Sequence, residues 1–464
     1  MDHEASAIAS ITGGTQARGR FFDYKGKSCA EYINCIANWY AQEHAHQACG
    51  LISSRQLIEK LFKGEKCCDD RRILFVVAKM SPRVVKIASA LKGRNYSLEI
   101  LFYQDKAFRS NQTQYLIKYI DSYYVCKCAE ELMYRAALSK AGVLHCFTGM
   151  DADIAAVLIQ RKELFPKIVH DKYDIVCGMY NDIKRKELFE TDRYCLEHAD
   201  ALCCRGYEHE YLAREEGFQI KGAVLQLFDY CDSSHFCHSS TPGIPLSLCY
   251  AGNLVTEKTH PGSALACTLE FAELCRKNRC AFHIYPNKWD TDLYADYIEL
   301  GKNNPYFHIH KPVAFESLSK ELSQYDYGVI PVKRISMISR GDCFISRNKY
   351  IYSATNKLFD SIDAGLPIIA ATPLKLAEYL QKKGALMKWW IEDFDFDKLR
   401  LIKEKGTIYK RVENIRKELT IDNHIDELLQ FYRKLAKNST EEFVTGDAVN
   451  HIIPLREGSA EGEI

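Results

Sequence analysis

The segment YIYSATNKLFDSIDAGLPIIAATP (350–373) carries the most chemically suggestive spacing in the chain. A helix beginning between Ser353 and Asn356 offers unpaired backbone N–H groups and the positive end of its dipole, and Lys357 adds a full charge at the same place. Those groups suit a diphosphate. Asp360, one turn further on, is placed to accept hydrogen bonds from ribose hydroxyls, and Gly365 and Pro367 stop the helix before an apolar strand. The plainer alternative is that Lys357 and Asp360 are solvated helix-surface residues ahead of a glycine turn.

A second group could handle protons. In PKIVHDKYDI (166–175), Asp171 and Asp174 sit at or just beyond the carboxyl end of an apolar strand, where a general base for a hydroxyl belongs. If both face a cleft, like-charge repulsion raises the pKa of one of them. Asp171 is the preferred base, Asp174 and His145 are next, and a capping role for the aspartates is the alternative. His145 lies inside the strand of VLHCFTGMDAD (143–153), as a core residue or a catalyst, with Thr148, Gly149, Asp151 and Asp153 in the turn expected to face the cleft. Between Lys333 and Lys349 stand five cations, Arg340 among them, against Asp342 alone. That insert reads as a basic lid over phosphates or as a solvated loop.

Metal chemistry finds little support in the spacing. The 19 cysteines include no C-x-x-C, so reduced thiols are expected. His44-x-His46 with Cys49 is the best metal-like cluster, against a plain helix face. Asp151-x-Asp153 opens a helix instead of following a strand, so no metal is expected there.

The elements that must position these groups follow from the apolar pattern. With 464 residues, 47% of them hydrophobic and 27% charged, the chain is a multidomain globular protein. Lys and Arg total 62 and Asp and Glu 61, which excludes a global basic field and hence nucleic acid as a partner. Unbroken runs such as ILFVVA (73–78) and SLEILFY (97–103) alternate with helical stretches from Arg71 to residue 232, the mark of βαβ units and a doubly wound parallel sheet. A linker at 233–245 follows, and LSLCYAG (246–252) restarts the same alternation to about 420. Residues 1–70 read as a helical extension and 438–464 as a polar tail. In 421–437 Ile425, Leu428, Leu429, Tyr432 and Leu435 share one helical face, which predicts a helix that crosses back onto the first sheet. The fold class is therefore α/β, two doubly wound parallel-sheet domains facing across a cleft.

The 350–373 segment resembles the nucleotide-sugar-binding segment of glycosyltransferases with the GT-B fold, of the group 1 or family 4 kind, with Asn356, Lys357, Asp360, Gly365 and Pro367 on the pattern and Asp360 standing where the family usually has Glu. YAGN (250–253) is similar to the first strand and glycine turn of the family's donor domain, which implies donor contacts at Gly252 and Asn253. FHIHKPVAFESLSKELSQYDYGVIPV (307–332) resembles the base-holding stretch, implying contacts from Val313 to Glu316, and Arg340 joins them through the lid. The 166–175 stretch resembles the acceptor-facing strand end, with Tyr173 where many relatives carry His. The resemblance implies transfer of a sugar from a nucleoside diphosphate sugar to a glycan or lipid-linked acceptor, in glycan or cell-envelope polysaccharide synthesis, with no cofactor and no metal. A nucleotide-sugar epimerase and a non-catalytic protein of the same fold are the alternatives. Asp2 and Glu4 stand where a signal peptide needs positive charge, so the expected place is the cytoplasm, with peripheral contact at the inner face of the membrane if the acceptor is lipid-linked.

Overall fold

A computed structural model describes residues 20–43, 51–63, 69–110, 112–149, 152–175, 186–237, 246–254, 267–333, 351–352, 354–370 and 375–437. Seven parallel strands build the first sheet: β1 (Asp69–Val77), β2 (Ser97–Tyr103), β3 (Ser122–Cys126), β4 (Ala141–Phe147), β5 (Lys167–Lys172), β6 (Ala201–Cys204) and β7 (Ala223–Gln226), in the order β3-β2-β1-β4-β5-β6-β7. Six more build the second: β8 (Ser247–Ala251), β9 (Ala281–Tyr285), β10 (Phe307–Ile309), β11 (Tyr327–Ile330), β12 (Ile368–Ala370) and β13 (Leu386–Met387), in the order β10-β9-β8-β11-β12-β13. The order reverses between β1 and β4 in one sheet and between β8 and β11 in the other, and the crevices beyond those strand ends are where such sheets bind ligands.

The apolar runs that announced strands are buried on both sides, β4 along its whole length, because helices cover both faces. Differences from the expected elements are small and sit where apolar content is low. β1 starts at Asp69 rather than near Ile73, and the two-residue β13 gives too short a signal to be read in advance.

The halves share a core. Leu358, Phe359 and Ile362 of the helix Asn356–Asp363 belong to the same buried cluster as Val84 and Ala88 of the helix Pro82–Gly93 and as Leu227 and Tyr230 beyond β7. Cys231 exchanges backbone hydrogen bonds with Leu419 and Ile421, each at 2.8 Å, where the chain returns. The helix Ile421–Ala436 then packs on the first sheet, with Tyr432 reaching His145 and Arg433 donating to the Tyr96 hydroxyl at 2.9 Å.

The first helices, Arg20–Tyr24, Cys29–Glu43 and Leu51–Lys63, cover the outer side of this sheet, and Phe21, Tyr32 and Ile36 join Leu74, Leu144 and Ile168 in a single cluster. Asp153 binds them down, accepting from the Arg20 and Phe21 N–H groups at 2.8 and 2.6 Å. This corrects the expectation that Asp153 faces the cleft: its carboxylate turns outward because the first helix presents two unpaired donors there. Asp151, His44, His46 and Cys49 lie outside the described residues.

Candidate functional site

On the C-terminal side of the cleft, β8 ends in a turn at Gly252, whose φ of +144° and position both require glycine. A Cβ there would lie 2.3 Å from Lys357 Cε, so the lysine stem runs directly across the glycine. Gly252 and Lys357 are thus brought together from 105 residues apart. The neighbouring Asn253 is exposed, and its Oδ1 accepts from Asn287 Nδ2 at 3.0 Å. Thr355 precedes the helix Asn356–Asp363 in extended conformation and makes no side-chain cap, which leaves the first helical N–H groups without a side-chain acceptor. Asp360 is half-buried, and burial pushes its carboxyl up to about 7, with Lys86 and Lys357 pulling against that rise and Asp363 adding to it.

Val313 packs against the cluster of Tyr285, Tyr325 and Leu366, and Glu316 lies near the Tyr115 hydroxyl of the first half and raises its pKa. Glu316 therefore sits beside the opposite half. Arg340, with residues 334–350 of the basic insert, lies outside the described residues.

The N-terminal side corrects the choice of base. Asp171 is 1% exposed and closed in by the Arg83 guanidinium, whose Nε lies 3.1 and 3.0 Å from its two oxygens. His145 Nε2 is 3.3 Å from the same carboxylate and its Nδ1 is 2.5 Å from the Tyr432 hydroxyl. Burial works against the Asp171 charge, but Arg83 and His145 hold the carboxyl below its ordinary value, so the expected rise is absent at this residue. Burial likewise lowers the His145 pKa. Neither side chain reaches the cleft; the helices Pro82–Gly93 and Ile421–Ala436 cover them, which strand position alone does not reveal.

Asp174, three residues on, is half-buried at the cleft. Its Oδ2 is 3.8 Å from Nη2 of Arg205, a residue the sequence reading passed over. Arg205 Nη1 donates to Asn356 Oδ1 across the cleft at 3.2 Å, and the guanidinium lies over the Tyr173 ring at 4.1 Å. The following Gly206 is pressed against the second half, since a Cβ on it would be 2.8 Å from the Ala354 nitrogen, and Tyr207 N–H donates to Tyr352 O at 3.0 Å. Glu208 is fully buried, and burial pushes it up to about 7 despite Arg205 nearby.

Lys86 is the other residue passed over. It bridges the halves, donating to Tyr230 O at 2.8 Å and to Asp363 Oδ2 at 3.3 Å. The signal that singled out Asp171 applies equally to Arg205, which directly follows the strand ALCC; a cation at a strand's carboxyl end deserved the same weight as an acid.

Among the described residues, the one group of side chains spaced to hold a metal is His145, Asp171 and Cys203. The Arg83 guanidinium already binds two of the three, with Nε on Asp171 and Nη2 donating to Cys203 Sγ at 3.2 Å. A fixed guanidinium at that distance repels a second cation.

No protein-family model matches the sequence, and no curated protein matches it. Solved structures do. A glycosyltransferase from Rickettsia africae is 13% identical, superposes with a TM-score of 0.54, and the match covers 79% of this chain and 99% of that one. A mutant of S. aureus TarM, in complex with fondaparinux, alpha-GlcNAc-glycerol and UDP, is 9% identical with a TM-score of 0.53 over the same shares. A UDP-GlcNAc 2-epimerase from Neisseria meningitidis, bound to UDP-GlcNAc, is 11% identical with a TM-score of 0.50 over 78% of this chain and 100% of that one. The chain has the GT-B fold. Among the described residues, no helix is long and apolar enough to cross a membrane.

Proposed function

We propose that this protein is a glycosyltransferase that takes a sugar from a nucleoside diphosphate donor held by its second half and passes it to a hydroxyl of a glycan or lipid-linked acceptor held by its first half. One observation carries the reading: Lys357 lies across Gly252 at the start of an uncapped helix, at the carboxyl end of the second sheet's switch-point strand. Backbone N–H groups, a helix dipole and a lysine then converge on one anion site. Asp360 stands one turn on for the ribose hydroxyls.

The diphosphate's charge is met by Lys357 and the helix start, so the reaction is read as needing neither metal nor cofactor. Asp174, not Asp171, is the carboxylate available to receive the acceptor proton, because Asp171 is spent on Arg83. The cytoplasm, peripheral contact with a membrane and a role in polysaccharide synthesis belong to the same reading.

The test is a panel of UDP-, GDP-, ADP- and dTDP-sugars incubated with the protein, with and without chelator. Release of nucleoside diphosphate from one donor, accelerated by hydroxyl acceptors and unaffected by chelator, is the expected result. Interconversion of donor epimers without an acceptor would replace this reading by that of an epimerase, an activity the fold also houses in the N. meningitidis protein. No turnover of any donor would leave a non-catalytic GT-B protein.

A further inference from the structure

Arg205 is more than nine-tenths buried yet makes little use of its donors. Among the described residues its one hydrogen bond is from Nη1 to Asn356, and Nε makes none, with Glu208 Oε1 only at ion-pair distance. Three carboxylates surround it at ion-pair distance without accepting a hydrogen bond from it: Glu208 at 3.7 Å, Asp174 at 3.8 Å and Asp229 at 3.9 Å. They hold the cation in place, and the Tyr173 ring fixes its plane. A buried polar donor without a partner is costly unless something completes it.

Arg205 Nη1 faces the start of the helix Asn356–Asp363, which has no side-chain cap and where Lys357 lies across Gly252. We propose that Arg205 is a ligand of the donor's diphosphate, reaching it from the first half of the protein while Lys357 grips it from the second. This rests on the donor site proposed above. Charge does not forbid it. Asp229 is shared with Arg83 at 3.0 Å, and Glu208, pushed up to about 7 by burial, is neutral for much of its time near neutral pH, which leaves Asp174 as the standing counter-ion.

Chemically, the bond from the sugar's anomeric carbon to the β-phosphate oxygen breaks, and its electron pair goes to that oxygen. The acceptor oxygen forms the new bond to the anomeric carbon and its proton passes to Asp174. Arg205 would donate to the diphosphate as its charge grows, and its planar fork suits two phosphate oxygens at once. Binding the diphosphate between an arginine and a lysine from opposite halves also ties product release to separation of those halves.

The experiment titrates UDP, GDP, ADP and dTDP, their parent nucleosides and inorganic pyrophosphate into the wild type and the variants Arg205→Gln, Arg205→Lys and Lys357→Ala, with melting curves alongside. Arg205→Gln is expected to weaken the preferred nucleoside diphosphate and pyrophosphate at least tenfold while leaving the nucleoside unchanged, with Arg205→Lys between it and the wild type. If Arg205→Gln does not fold, Arg205→Lys decides alone, since it keeps the charge and loses the fork. Wild-type affinity in the Arg205 variants beside a loss in Lys357→Ala overturns the proposal and spares the donor site. An equal loss for nucleoside and diphosphate also overturns it, because Arg205 then only shapes the cleft. Absence of binding of every nucleoside diphosphate to the wild type overturns both readings.

Discussion

Arg83 and Arg205 are both buried arginines at carboxyl ends of the first sheet, and each faces aspartates that the β5 strand end and the segment after β7 supply. Arg83 uses all its nitrogens: Nε on Asp171, Nη1 on Leu227 O at 2.6 Å and Asp229 at 3.0 Å, Nη2 on Cys203. Arg205, by contrast, is held at ion-pair distance by three acids and, among the described residues, hydrogen-bonds only Asn356. The first arrangement is closed and has nothing left for a ligand. The second is open toward the other half of the molecule. Charge and burial are alike, so hydrogen-bond saturation is what separates a structural cation from one available for chemistry.

The largest effect should come from breaking the closed cluster. Arg83→Met strands Asp171 and Asp229 in the core without their partner, a change that costs about 3–5 kcal/mol. Denaturant melts should show that loss, and Asp171→Asn should follow in the same direction, with any fall in activity explained by unfolding. A wild-type melt for Arg83→Met would mean that the cluster does not hold the fold.

On the donor side, Lys357 should respond in affinity and not in stability. Lys357→Ala removes a charge-assisted contact of about 1.5–3 kcal/mol, roughly a ten- to hundredfold loss in nucleoside diphosphate affinity. Gly252→Ala should weaken binding through the same lysine, because the new methyl collides with its stem and the backbone stands at φ +144°. Calorimetric affinities equal to wild type in both variants would remove Lys357 from the diphosphate site.

The smallest effect concerns protons around Arg205. Glu208, held near 7 in the fold against an ordinary value of 4.5, binds more protons in the folded than in the unfolded protein between those pH values. Its contribution therefore falls as pH rises through that window, so stability is lost toward pH 7 and above. Burial sets this balance first, with Arg205 opposing the rise and Asp174 adding to it. The melting temperature of wild type relative to Glu208→Gln should drop between pH 5 and pH 8. A difference that is flat or rises with pH would place the Glu208 carboxyl in a different charge state.

Much of this protein was decided by the sequence itself. Two alternations of apolar runs with helical periods yield two parallel sheets, since each run buries both its faces whatever its neighbours are. The donor helix, with Lys357 and Asp360 one turn apart, is local for the same reason. The apolar face of 421–437 foretold a packed helix, and its burial on the first sheet places Tyr432 against His145. What tertiary structure alone decided is which charges meet. Arg83 finds Asp171 across 88 residues, Lys86 finds Asp363 across 277, and Arg205 finds Asn356 across 151. Asp171 and Asp174 look equivalent in the sequence, being two acids at one strand end. They part because a helix and its arginine close over the first and stop short of the second. Ion pairing depends on distance and desolvation in space, and neither has a period along the chain.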